Sequence, residues 1–250
     1  MSKIKLCNGV VINDPEDRIR EYCRVEIYYG YDDCHEVNNA ITQCNIDAAN
    51  KLFARISKMV AERIIQSENI RNTLTVIDDK ELGEINKEEW RNCKEKLYNL
   101  LISFCSIKGV GIAVATKILH LKRPKLIPIL DSFVVKFLLG IDTQNVWDKQ
   151  HLIETGIKAT EIIREDIREN WEDFITLQEK LSDLPILLEK VRLYDILVWS
   201  TEKWDIRGNL TAPYRKPKTP VIVEIKESID ENPERANWLH VHRRESTREK

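Results

Sequence analysis

The chain has 250 residues, of which 42% are apolar and 32% charged, and its formal net charge is −2. That length allows one large domain or two small ones with a real core, and the near balance of charge excludes a polycation, so a nucleic-acid site has to be a local patch. There is no signal-peptide core and no run of about eighteen apolar residues, and Cys7, Cys23, Cys34, Cys44, Cys93 and Cys105 show no CxxC or zinc-like spacing. The expectation is a soluble, cytoplasmic chain with reduced thiols packed as small hydrophobes.

Residues 1–40 read as an irregular N-terminal segment packed on the core, with Tyr28, Tyr29 and Tyr31 covering that core. A helical period begins at Asn45, placing Leu52, Phe53, Ile56, Met59, Val60 and Ile64 on one face and Lys51, Arg55, Lys58 and Arg63 elsewhere. Residues 70–85 read as a connector. Asn86 followed by Glu89 has the spacing of a capping box, and Trp90, Cys93, Leu97, Leu100, Leu101 and Phe104 continue as an apolar stripe. After Lys108-Gly109-Val110-Gly111 a short helix runs from Ile112 to about Leu121. Leu126 to Leu130 is extended around Pro128, and Asp131 opens a helix that Gly140 closes. Residues 142–204 read as three further helices. The last starts near Ser182 to Pro185 and buries Leu187, Leu188, Val191, Tyr194, Leu197 and Val198, with Arg192 the partner of the semi-buried Asp195.

The fold expected is all-α: a helical domain over residues 41–204 with a helix-hairpin-helix at about 88–121, and a C-terminal extension, 205–250, holding at most one or two strands. Trp147, Trp171, Trp199 and Trp204 are read as core residues. His240 and His242 form a pair with no third ligand, so no metal site is expected.

The bend Ile107 to Gly111 carries the functional argument. Two helices joined so tightly need backbone angles that glycine supplies, here Gly109 and Gly111, while Val110 tucks into the seam. Such a bend presents successive main-chain N–H groups beside a helix start, which suits a phosphate oxygen. From Lys108 to Lys136 there are six bases (Lys108, Lys117, Lys122, Arg123, Lys125, Lys136) and one acid, whereas Ile141 to Trp199 holds thirteen acids and seven bases. The expected footprint is therefore Lys108, Gly109, Val110, Gly111, Lys117, Lys122, Arg123 and Lys125, binding the phosphate backbone of DNA without reading sequence. A plain packed turn with solvated lysines is the competing interpretation. His120 is expected to be exposed or capping.

Residues 107–138, IKGVGIAVATKILHLKRPKLIPILDSFVVKFL, resemble the core of the helix-hairpin-helix base-excision DNA glycosylases. In that superfamily a GVG hairpin precedes a catalytic aspartate at a helix head, and the resemblance maps the hairpin onto Gly109 and Gly111 and the aspartate onto Asp131. A longer likeness, from Tyr31 to Trp199, is to an uncharacterised bacterial family and implies the fold without an activity. The lysine that strand-cutting glycosylases carry two places after the hairpin is Ala113 here, so the resemblance implies a monofunctional enzyme with no lyase step. The histidine frequent two places after the aspartate is Phe133, and the iron–sulfur cysteines of some members are absent. No cofactor is expected; a monovalent cation at the hairpin is implied by the resemblance alone.

Asp131 has two compatible roles. A carboxylate near the sugar stabilises the positive charge that develops as a base departs, and can orient or deprotonate water. It is equally a routine N-cap for the helix that follows. Three functions stay open on these residues: a glycosylase-like hydrolase, a non-catalytic DNA-structure-binding module, and a protein-docking surface on the same fold.

Overall fold

The computed structural model describes residues 3–24, 30–34, 38–141 and 148–203, and these are mainly helical. The chain opens with a small antiparallel sheet that pairs β1 (Lys3–Lys5) with β2 (Val11–Asn13), Ile4 opposite Ile12, and helix α1 (Pro15–Cys23) follows. This corrects the irregular segment expected over residues 1–40. Each strand sends a single side chain inward, Ile4 or Ile12, which is too few for a period of two to register.

The expected single stripe from Leu52 to Ile64 is instead two helices, α2 (Gln43–Lys51) and α3 (Lys58–Gln66). Between them Phe53 and Arg55 adopt left-handed backbone angles, φ 59° and 55°. Asn50 fixes this break. Its side chain accepts from Ile56 N at 2.7 Å and donates to Ile56 O at 3.3 Å, taking both main-chain groups that a continued helix would have used. Phe53 and Met59 point to the surface as a result. Helix α4 (Glu68–Thr75) occupies part of the expected connector and is capped by Ser67, whose hydroxyl accepts from Ile70 N.

Helix α5 (Lys87–Cys105) starts where the capping box placed it. The Asn86 side chain accepts from Glu88 N and Glu89 N, and Glu89 answers by accepting from Asn86 N at 3.2 Å. Then come α6 (Ile112–His120), α7 (Ser132–Leu139), α8 (Lys149–Glu169), α9 (Trp171–Lys180) and α10 (Lys190–Lys203). Gly140 closes α7 in the left-handed region, φ 68°, as expected. The last helix begins later than expected, so Leu187 stays 69% exposed, while Leu188, Val191, Tyr194, Leu197 and Val198 are buried.

Helix α8 is the central post, in contact with α5, α6, α7, α9 and α10. Its inward stripe, Ile153, Ile157, Ile163 and Ile167, has helical spacing and fills the middle of the core. It also anchors the N-terminal hairpin. Asn170, just past its end, bonds the main chain of Lys5 in both directions, and Asp166 accepts from Cys7 N and from the Tyr194 hydroxyl. Tyr28, Tyr29, Trp147, Trp204, His240, His242 and the whole extension 205–250 lie outside the described residues.

Gly156 lets α8 approach the helix after the bend. A β-carbon there would fall 1.9 Å from Ile112 Cδ1 and 3.3 Å from Leu130 Cδ1. Gly156→Ala is therefore expected to destabilise the fold by about 1–3 kcal/mol in urea unfolding, and Ile112→Val, which removes the colliding methyl, to recover part of that loss.

Candidate functional site

The bend between α5 and α6 is open to solvent. Lys108, Gly109 and Gly111 are exposed and Val110 is buried in the seam. Val110 N donates back to Ile107 O at 3.1 Å, and Gly109 takes φ 93°, a left-handed value that a side chain would resist. Gly111 is the N-cap of α6 and has no side chain with which to cap it. The amides of the first turn of α6 thus lack a side-chain acceptor, at the positive end of the helix. A β-carbon on Gly109 would touch Val60 of α3 at 3.5 Å, so the α2–α3 corner lies beside the bend.

The basic residues expected to surround the bend mostly face inward. Lys122 is fully buried and donates to the Asn38 side chain at 2.9 Å. Arg123 is also buried, with its guanidinium bonded to the carbonyls of Ile77, Leu74, Asn38 and Lys122 and to the Asn39 side chain. These two residues leave the expected DNA footprint. The physical reason is that carbonyls at and beyond the end of α4 keep acceptor capacity that Arg123 takes up, while the Asn38 side chain draws in Lys122. Lys125 is half-exposed and sits 3.6 Å from Glu81. His120, expected at the surface, is buried, bonded through Nδ1 to Ile127 O at 2.7 Å and stacked on Tyr31.

Lys117 turns into a cavity. Its Nζ donates to Leu52 O at 2.6 Å, and burial pulls its ammonium below the ordinary lysine range, against the pull of Asp131. The cavity holds about 360 Å³, and Asp131, Lys117, Arg192 and Asp195 supply its charged lining. Tyr22, Phe53, Phe133 and Trp199 supply aromatic lining, and Ala113, two residues beyond the exposed Gly111, completes the side nearest the bend. Two residues of helix span about 3 Å, so bend and cavity are neighbours. Asp131 caps α7, its Oδ1 accepting from Phe133 N at 2.9 Å and Val134 N at 3.0 Å.

Beneath the cavity Arg192 is wholly enclosed. It donates to both oxygens of Asp32, to Asp195 at 2.7 Å and to the Tyr22 hydroxyl. Burial works against its charge, but Asp195 and Asp32 outweigh it and hold the guanidinium well above its ordinary range. Asp195 also accepts from Ile129 N at 3.3 Å, and burial pushes its carboxyl up to about 7 despite Arg192.

A family model described as Family of unknown function (DUF6308) matches residues 12–202. The chain belongs to this family. No curated protein and no solved structure matches the chain. The matched span of the DUF6308 family includes every residue that lines the cavity, from Tyr22 to Trp199. Among the described residues no group of three or more His, Cys, Asp or Glu is placed to hold a metal ion, and no helix is long and apolar enough to cross a membrane.

Sequence reasoning found Asp131 and the Arg192–Asp195 pair but did not place them in one cavity. It missed Phe53, which is 48% exposed at the cavity wall, because periodicity assigned it to a buried stripe. The available signal was Asn50, six residues ahead of Ile56, a residue type that competes with helical hydrogen bonds.

Two measurements check these assignments. Arg123→Met leaves several carbonyls unpaired and is expected to destabilise the protein by about 3 kcal/mol or more, whereas Lys108→Met should stay within about 0.5 kcal/mol of wild type. For Asp195, a carboxyl that ionises near 7 when folded and near 4 when unfolded holds more protons in the folded state between those values. Stability should therefore fall as pH rises from about 4 to about 7, and Asp195→Asn should flatten that slope in urea midpoints taken across the range.

Proposed function

We propose that the protein grips a nucleic-acid backbone at the bend and receives one unstacked base in the adjoining cavity, where Asp131 promotes hydrolysis of the bond between base and sugar. One observation carries this reading: Asp131 lines a cavity that begins two residues beyond an exposed glycine corner. The aromatic lining gives a flat base surfaces to stack on, and the charged lining offers hydrogen-bond partners to its edge. In the reaction the bond from the sugar carbon to the base nitrogen breaks and its electron pair leaves with the base. Water adds to that carbon, and its proton passes to Asp131. The carboxylate also steadies the positive charge on the sugar.

With Lys122 and Arg123 turned inward, backbone binding rests on the main-chain amides of the bend and on Lys108. A second reading keeps that binding and makes Asp131 only a cap. The observation that favours it is that Asp131 Oδ1 already accepts two amide hydrogens.

Asparagine caps a helix about as well as aspartate does, so Asp131→Asn removes the charge and keeps the fold. Duplexes carrying uracil, oxidised guanine or alkylated adenine, incubated and then treated with hot alkali, should break with wild type and at least roughly 100-fold more slowly with the variant. Equal breakage across a broad lesion panel defeats the hydrolase. Binding is followed separately. It should weaken with salt, and Lys108→Gln should lower the slope of log K against log salt by about one. Binding indifferent to salt defeats both readings.

A further inference from the structure

Two of the six thiols meet. Cys34 follows the buried strip that carries Tyr31 and Asp32, and Cys44 lies in the first turn of α2. Their sulfurs are 2.7 Å apart, Cys44 is exposed and Cys34 is half-buried, so an oxidant in solution reaches the pair. The other four thiols are held back from ionising. Burial pushes Cys23 up to about 12 and Cys93 and Cys105 up to about 11, and burial together with Asp166 and Glu169 takes Cys7 to about 12. Thiols held so far from ionisation are poor nucleophiles toward peroxide.

We propose that Cys34 and Cys44 form an oxidative modification site, a dithiol that hydrogen peroxide converts to a disulfide and thiol reductants reopen. One sulfur attacks a peroxide oxygen, the O–O bond breaks, and a sulfenic acid and one water result. The second sulfur then displaces that hydroxyl as a second water. Two electrons and two protons leave the pair, and one peroxide is reduced to two waters. Forming the bond moves the sulfurs by only about 0.7 Å.

The bond would join two parts of the cavity's surround. Behind Cys34 stand Asp32, which bonds both its oxygens to Arg192, and Tyr31, which donates to Lys117 O at 2.6 Å. Beyond Cys44, α2 runs into Leu52 and Phe53 of the cavity wall. Oxidation thus ties the support of the charged residues to the wall opposite. The proposal does not depend on what the cavity binds.

The test uses the full chain, reduced and then exposed to a modest excess of hydrogen peroxide. Cys34 and Cys44 share one tryptic peptide, residues 25–51. In wild type that peptide should become about 2 Da lighter, stop reacting with iodoacetamide, and recover both properties with dithiothreitol. The thermal midpoint of the oxidised chain should rise by roughly 5 °C, because the closed loop is short and lies within a large fold. Cys93→Ser should behave as wild type. Cys44→Ser should show neither the lighter peptide nor the rise, and should add oxygen at Cys34 instead. If wild type adds oxygen at Cys44 without the mass loss, links either residue to another cysteine, or keeps both thiols while peroxide oxidises Cys7, the proposal is overturned.

Discussion

The guanidinium of Arg192 joins parts of the chain that lie far apart in sequence. It draws in Asp32 from the strip after α1, Tyr22 from α1 itself and Asp195 from its own helix, and it lies over the rings of Tyr22 and Tyr31. A buried positive charge is tolerable because each of its three nitrogens donates to an acceptor, and two carboxylates face it. Taking the guanidinium away would strand both acids in the interior, an outcome worse than never having buried the group. Asp195 extends the network to Ile129 N, and Ile129 precedes Asp131 by two residues. The position of the capping aspartate is in this way coupled to a charge on the last helix.

The cavity combines groups that usually exclude each other. Its aromatic lining suits a flat, weakly polar ring, while Lys117, Asp131 and Asp195 demand hydrogen bonds from whatever enters. A ligand that brings only apolar surface would strip water from those groups and offer no hydrogen bond in return. A ligand that brings only charge would waste the ring faces. A heteroaromatic with polar edges suits both features, and that is the ground on which a nucleobase is proposed. The bend next door adds main-chain amides at a helix start, groups that suit an anion.

How much of this was legible in the residues varies from element to element. Asn86 and Glu89 announced the start of α5, Gly109 and Gly111 the bend, and Asp131 and Gly140 the two ends of α7, because each residue type acts on the main chain next to it. Such local chemistry is encoded where it acts. The direction of a long cationic side chain is not. Lys122 and Arg123 looked like a surface patch because their count and spacing said nothing of the Leu74 and Ile77 carbonyls that accept from Arg123 or of the Asn38 side chain that accepts from Lys122. Arg192 and Asp195 were readable as a pair because they are one helical turn apart, but Asp32, some 160 positions earlier, was not. Phe53 went unseen for another reason: its apolar character fits a buried stripe, and that pattern outweighed Asn50, the one local sign that the helix ends before it.

The residues that border the cavity come from α1, the α2–α3 corner, α6, the start of α7 and α10, so the pocket has no local address in the chain. No excised hairpin or shuffled module could carry it to another protein, and trimming at either end of the span from Tyr22 to Trp199 would dismantle a wall. The DUF6308 match, residues 12–202, spans all of these elements. A substitution in any one of these elements therefore reshapes the cavity from one side.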